Sequence, residues 1–208
     1  MPLNPLTRPF ILLFLCAGLC APLHAQGGGE HYLAVHFIYG SKPARGHKRD
    51  EMKFFGGLHG GHSTMELDSV DYGFIPSGRV HLFAHRKTFN SMFVAHKTHG
   101  RPVYPVGDKT VTIIIPVTEE QYQTILSTCK MYCDKAPYDY AFFGMRCAAS
   151  AKDILQQAGI FKKHSRFFTV ITTFYPKKLR KRLLRMAEKK NYKVIRQEGR
   201  SSRKWEKD

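Results

Sequence analysis

The chain has 208 residues, enough for one ordinary domain with a sizeable core, and carries a formal net charge of +17 at pH 7. The excess is uneven, because residues 177–208 hold fourteen Lys or Arg against four acidic residues. The apolar run 10–21 would extend about 18 Å as a helix, well short of a hydrocarbon core of roughly 30 Å, which argues against a permanent membrane span.

That run has another reading. Arg8 precedes it, and Ala25 stands before Gln26 in a Leu-His-Ala context, with Leu23 at the −3 position. A charged start, a short apolar stretch and a small residue form a secretory signal, so export and removal of residues 1–25 are expected, leaving a periplasmic or extracellular protein. Export argues against nucleic acid as a partner. The basic end then fits an anionic envelope surface, or else a solvated helix face that keeps the chain soluble.

Past a Gly-rich joint at 27–29, residues 31–39 alternate as a strand with Leu33, Val35, Phe37 and Tyr39 on one face. Residues 41–50 read as a basic loop, and 53–61 as a glycine-rich turn or close approach. A short strand at 62–67 is followed by a turn over 71–78, a strand at 79–85 and a shorter one at 91–94. Residues 109–117, rich in Ile, Val and Thr, form the strongest strand signal.

The character then changes to helix. Thr118-Glu-Glu-Gln121 is a capping box opening a helix to about Cys133, with Cys129 and Cys133 on its apolar stripe. The Cβ vectors of an i,i+4 pair are poorly aimed for a disulfide, so two core thiols are expected there. Cys147, Ala151, Ile154, Leu155 and Ala158 share a helical face that Gly159 terminates. Residues 166–173 read as a late strand, and Pro176 opens a basic amphipathic helix carrying Leu179, Leu183, Leu184 and Met186. Strands in front and helices behind give an α+β fold, an antiparallel sheet packed on helices. A single domain over 30–175 with a basic helical extension over 176–208 follows.

Cys147 is the odd thiol of the exported part, placed in the first turn of a helix where the macrodipole and unpaired N–H groups favour thiolate. The same position also suits a small buried thiol that merely packs. A nucleophilic thiol needs a base, and that base needs an orienting group. Gly60-Gly-His62-Ser-Thr-Met-Glu-Leu67 offers the best one, with His62, Thr64 and Glu66 on one strand face. His59 in the glycine loop competes with His62, and His81 on the following strand is the candidate orienter. The spacings His59-x2-His62, His81-x3-His85 and His96-x2-His99 also admit a shared zinc, but without HExxH or CxxC partners no metal or other cofactor is expected.

The Gly-His62-Ser-Thr-Met-Glu-Leu strand and the block from Tyr138 through Cys147 to Leu155-Gln-Gln-Ala-Gly-Ile160 resemble the circularly permuted NlpC/P60-type, papain-like cysteine hydrolases of bacterial envelopes. The resemblance covers roughly residues 32–160 and implies a papain-like core in permuted order, His strand before Cys helix. It implies Cys147 as nucleophile, His62 as general base and a polar residue of the next strand, here His81, as orienter. Arg146 stands where the relatives carry Asn; with Tyr140 it is a candidate substrate- or anion-binding group. The implied activity is cleavage of an amide in a peptide, isopeptide or acyl amide, including wall-derived ones. The alternatives are an inactive envelope module that docks an anionic ligand through the same cleft, and a His-rich metal-binding protein.

Overall fold

The computed structural model describes residues 31–40, 61–104 and 106–199. Residues 1–25, expected as a secretory signal, His59 and most of the glycine-rich stretch lie outside the described residues. Strands β1 (His31–Ile38), β2 (His62–Leu67), β3 (Val70–Pro76) and β5 (Ser91–Lys97) join β6 (Thr110–Val117) and β8 (Lys193–Gln197) in one sheet of order β5-β3-β2-β1-β6-β8. Every neighbouring pair in it is antiparallel. Two short strands, β4 (His81–Phe83) and β7 (Ala141–Phe143), pair in parallel as a separate ribbon.

The helices are α1 (Glu119–Asp134), α2 (Cys147–Gln157), α3 (Arg166–Thr172) and α4 (Pro176–Lys190). Among the described residues, none is long and apolar enough to cross a membrane. Alternation sends Leu33, Val35 and Phe37 of β1, Met65 and Leu67 of β2, and Val111, Ile113 and Ile115 of β6 to one face of the sheet. There they join Ile125 of α1, Ile154 and Leu155 of α2, and Leu179 and Leu183 of α4 in one core. The fold is therefore α+β, as composition and periodicity imply.

Three local outcomes differ from the sequence reading. The chain reverses at Asp68-Ser69, both at positive φ (51° and 61°), and residues 70–76 continue as β3 instead of turning. Two consecutive positive φ values give a tight hairpin whose twist matches its strands. Residues 166–172 form α3, because Ser165 caps Phe168 N–H and the Thr172 hydroxyl bonds back to the Phe168 carbonyl at 2.7 Å. The basic segment from Pro176 is built into the body of the protein: α4 buries Leu179, Leu183 and Ala187, and β8 forms a sheet edge on β6. Even Arg180 is 0 % exposed, its guanidinium 3.7 Å from the centre of the Tyr39 ring.

Candidate functional site

His62 opens β2 and Cys147 opens α2, so both candidate side chains sit at the first position of a regular element. Gly61 fixes the approach to His62. It adopts φ +80°, and a Cβ there would lie 2.1 Å from the Ile38 carbonyl oxygen, so only glycine allows β1 and the start of β2 to come this close. On the helix side, Arg146 precedes the helix in extended conformation with no side-chain cap, and its carbonyl accepts the Ser150 N–H at 2.8 Å. The sulfur thus lies beside unpaired N–H groups of the first turn.

The Cys147 thiol and the His62 imidazole lie within interacting reach, and each shifts the protonation of the other. Burial alone would push the thiol up, since only 5 % of Cys147 is exposed. The adjacent imidazolium and its hydrogen bond, the Ser63 backbone N–H donated to the sulfur, and the Arg146 charge together outweigh burial and pull it down to about 6. His62 responds oppositely. Burial lowers it, but the thiolate partner and the nearby Asp71 carboxylate carry it above its ordinary value. Both shifts run in the direction that favours thiolate on Cys147 and a proton on His62.

Tyr140 completes the immediate shell. Its buried hydroxyl accepts the Cys147 backbone N–H and contacts the sulfur; burial and the thiolate push the phenol well up, so it stays a donor. Arg146 is held away from solvent chemistry. Its guanidinium lies 4.1 Å from the Phe174 ring centre, also faces Phe142 and Tyr175, and donates to the Phe174 carbonyl.

His81, the sequence candidate for orienter, is not brought to His62. β3 fills the place beside β2, and β4 leaves the sheet to pair with β7. The His81 Nδ1 instead lies 2.6 Å from Asp139 Oδ2, and its ring stacks on His85 at 3.8 Å. The carboxylate that acts on His62 is Asp71, two residues beyond the hairpin turn and opposite Glu66 in register. Sequence reasoning missed it because it was assigned to a turn. An alternating Asp-Tyr-Gly-Phe pattern was the signal available.

Behind His62 the sheet carries a buried polar layer. His36 bonds Thr112 Oγ1 at 2.8 Å and Glu66 at 2.9 Å, and Glu66 also accepts from Thr98. Thr64, Asp71 and Tyr104 cluster next to it. The Thr64 hydroxyl lies near enough to both others to favour their ionised forms, yet Thr64 Oγ1, Asp71 Oδ1 and Tyr104 Oη complete no aligned hydrogen bond among the described residues. Burial raises Asp71, and the charges of His36 and His62 pull back against it.

Among the described residues, one grouping comes within metal-ligating reach: His81, His85 and Asp139, with atoms within 4.8 Å of one another. Its geometry suits structure better than coordination. The two imidazoles stack with only 14° between planes, so their in-plane lone pairs run side by side instead of converging. The Asp139 oxygens already accept from His81 and from the backbone N–H groups of His85 and Asn90.

Compared with known protein families, curated proteins and solved structures, the chain matches none.

Proposed function

We propose that this protein is an exported thiol hydrolase of the papain-like kind in permuted order, cleaving an amide by nucleophilic catalysis. The juxtaposition that carries the reading is a buried cysteine opening a helix beside a histidine that opens a strand, an imidazole that draws the thiol down to about 6. A cysteine that only packs has no partner to hold it as thiolate. Cys129 is the internal contrast, its thiol pushed up to about 12 by burial.

In the proposed reaction the Cys147 thiolate attacks the carbonyl carbon, and the Tyr140 hydroxyl beside the sulfur donates to the developing oxyanion. The C–N bond breaks as the His62 imidazolium gives its proton to the leaving amine. Neutral His62 then takes a proton from water, whose oxygen attacks the thioester and releases a carboxylic acid. The thiolate and imidazolium are restored. Asp71 holds positive charge on His62 and is a positioning residue in this scheme. The substrate class is a peptide, isopeptide or acyl amide, with wall-derived peptides the first to test.

The test is direct. The purified chain is mixed with a wall-derived peptide and with a long-chain acyl amide, quenched in acid, and read by intact mass. A thioester adduct on Cys147, absent in Cys147→Ala, together with release of free amine, is the expected result. A wild-type thiol that forms no adduct with either and reacts with iodoacetamide as an ordinary cysteine overturns the hydrolase reading.

A further inference from the structure

The catalytic reading leaves unused a surface of exposed phenylalanines next to the Cys147 block. On it Phe83 stacks on Phe143 at 5.5 Å, and Phe143 faces Phe174 at 6.3 Å. Phe143, Phe174, Phe89, Phe167 and Ile171 line one cavity of about 580 Å³ between the β4–β7 ribbon and α3. Several of these side chains stand in solvent: Phe167 is 76 % exposed, and Phe83, Phe143 and Ile171 are each more than half exposed. Phe167 and Ile171 are four apart on a seven-residue helix and so project from the same side. So much clustered apolar surface marks an interaction site.

The charge around it selects the partner. Arg86 and Arg166 line the same cavity, and Lys87, Lys162 and Lys163 are exposed beside them in sequence. The three segments that build the surface, residues 80–90, 140–146 and 160–178, contain no acidic residue. Asp139 also lines the cavity, but its side chain is 0 % exposed and taken up by His81, His85 N–H and Asn90 N–H, so the charges that reach solvent are cationic. Protruding aromatic side chains within such a frame are the chemistry of an anionic bilayer surface, where rings enter the headgroup–acyl boundary and cations meet phosphates. A self-association patch would need acidic groups to answer these cations, and those segments have none.

We infer that the Phe83–Phe143–Phe167–Ile171 face docks the protein on an anionic lipid surface. This places the contact on the β4–β7 ribbon and α3, and not on the basic helix α4. The inference is independent of the hydrolase reading, since it requires no reaction at Cys147.

The experiment is co-sedimentation of the full chain, carrying Cys147→Ala, with vesicles of three parts phosphatidylcholine to one part phosphatidylglycerol, and with phosphatidylcholine alone. Binding to the anionic vesicles only is expected. Phe167→Ser with Ile171→Ser should weaken it at least about tenfold, from the lost apolar insertion. Arg86→Glu with Arg166→Glu should weaken it comparably and flatten its salt dependence. Lys181→Glu with Arg185→Glu, on exposed positions of α4, should change it less than about threefold. Apart from the buried Cys147, changed in every arm alike, the substituted residues are exposed, and unchanged melting curves check folding. Wild-type affinity in the Phe167–Ile171 variant overturns the inference, as does equal binding to both vesicle types. Failure to bind vesicles, with a dimer that the same double substitution dissociates, overturns it in favour of a second copy of this chain.

Discussion

Cys147 and His62 are interacting partners 85 positions apart in the chain, the sulfur at the start of α2 and the imidazole at the start of β2. Each changes the protonation of the other in the direction that favours the ion pair. With the thiol at about 6, half of Cys147 is thiolate at pH 6, where a free cysteine is ionised to only a fraction of a per cent. A less basic thiolate is also intrinsically slower, which gives back roughly a factor of ten. Iodoacetamide should therefore alkylate Cys147 about tenfold faster than free cysteine at pH 6. The rate should titrate with a midpoint near 6, and His62→Gln should move that midpoint up by two units or more, to about 8 or above. Peptide mapping of the alkylated protein across pH gives both readings.

The same pair fixes the shape of the pH–rate profile. The proposed hydrolysis needs thiolate on Cys147 and a proton on His62. It should rise with pH through about 6, as the thiol ionises, and fall only above the ordinary imidazole range, because His62 is held above 6.5. The limbs are macroscopic properties of the coupled pair. A single ascending limb with no fall up to pH 9 would mean that His62 does not deliver the proton.

Asp71 supports the upper limb. Its carboxylate contributes to the raised His62, while the charges of His36 and His62 favour its own ionised form. Asp71→Asn should lower kcat/KM about tenfold and shift the descending limb to lower pH, with the ascending limb moved much less. His81→Ala should leave both limbs in place, because its ring is engaged by Asp139 and not by His62. Both are read from kcat/KM profiles on the substrate found to acylate Cys147.

Tyr140 offers a separate check on charge stabilisation. Its hydroxyl lies beside the Cys147 N–H and the sulfur, and in the proposed reaction it donates to the oxygen developing on the attacked carbonyl. Tyr140→Phe should cut kcat by about 10² with little change in KM, the pattern of a bond made in the transition state. A rise in KM at constant kcat would assign the hydroxyl to substrate binding.

The legible part of this protein is the part written in local patterns. The capping box at Thr118 and Gln121 is formed with both reciprocal bonds, and Gly159 takes the left-handed conformation that ends α2. The Gly61-His62 step reads as a close approach in the sequence, and the Ile38 carbonyl is what it approaches. What the sequence hides is long-range or against propensity. Phe167-Phe-Thr-Val-Ile171 favours strand, yet packing decides otherwise: Thr169 is fully buried against Gln156 of α2, and Lys152 bonds Thr172 at 2.6 Å. The role of Asp71 depends on a hairpin made by Asp68-Ser69 in place of the more recognisable Asn-Gly, so the strand that carries it is masked. His81 has the residue type of an orienter, but which carboxylate it meets depends on a ribbon joining segments 60 residues apart.

That ribbon gives the clearest stability prediction. The Asp139 side chain is 0 % exposed and accepts three N–H donors: the His81 ring at 2.6 Å, His85 N at 2.9 Å and Asn90 N at 2.7 Å. Burial alone would raise this carboxyl, but the backbone donors from Asn90 and His85 win and hold it below its usual range. Asp139→Ala leaves two backbone donors without their acceptor and should cost about 3 kcal/mol, a fall in Tm of roughly 8 °C for a domain of this size. Because the folded-state pKa is depressed, the stabilisation is complete above the unfolded carboxylate value near 4 and is lost as pH falls through the lower folded value. Melting curves of wild type and Asp139→Asn should therefore converge toward low pH and separate above about pH 5. Curves that stay parallel across that window would show that the carboxylate charge contributes nothing to holding the ribbon, leaving only its hydrogen-bond geometry.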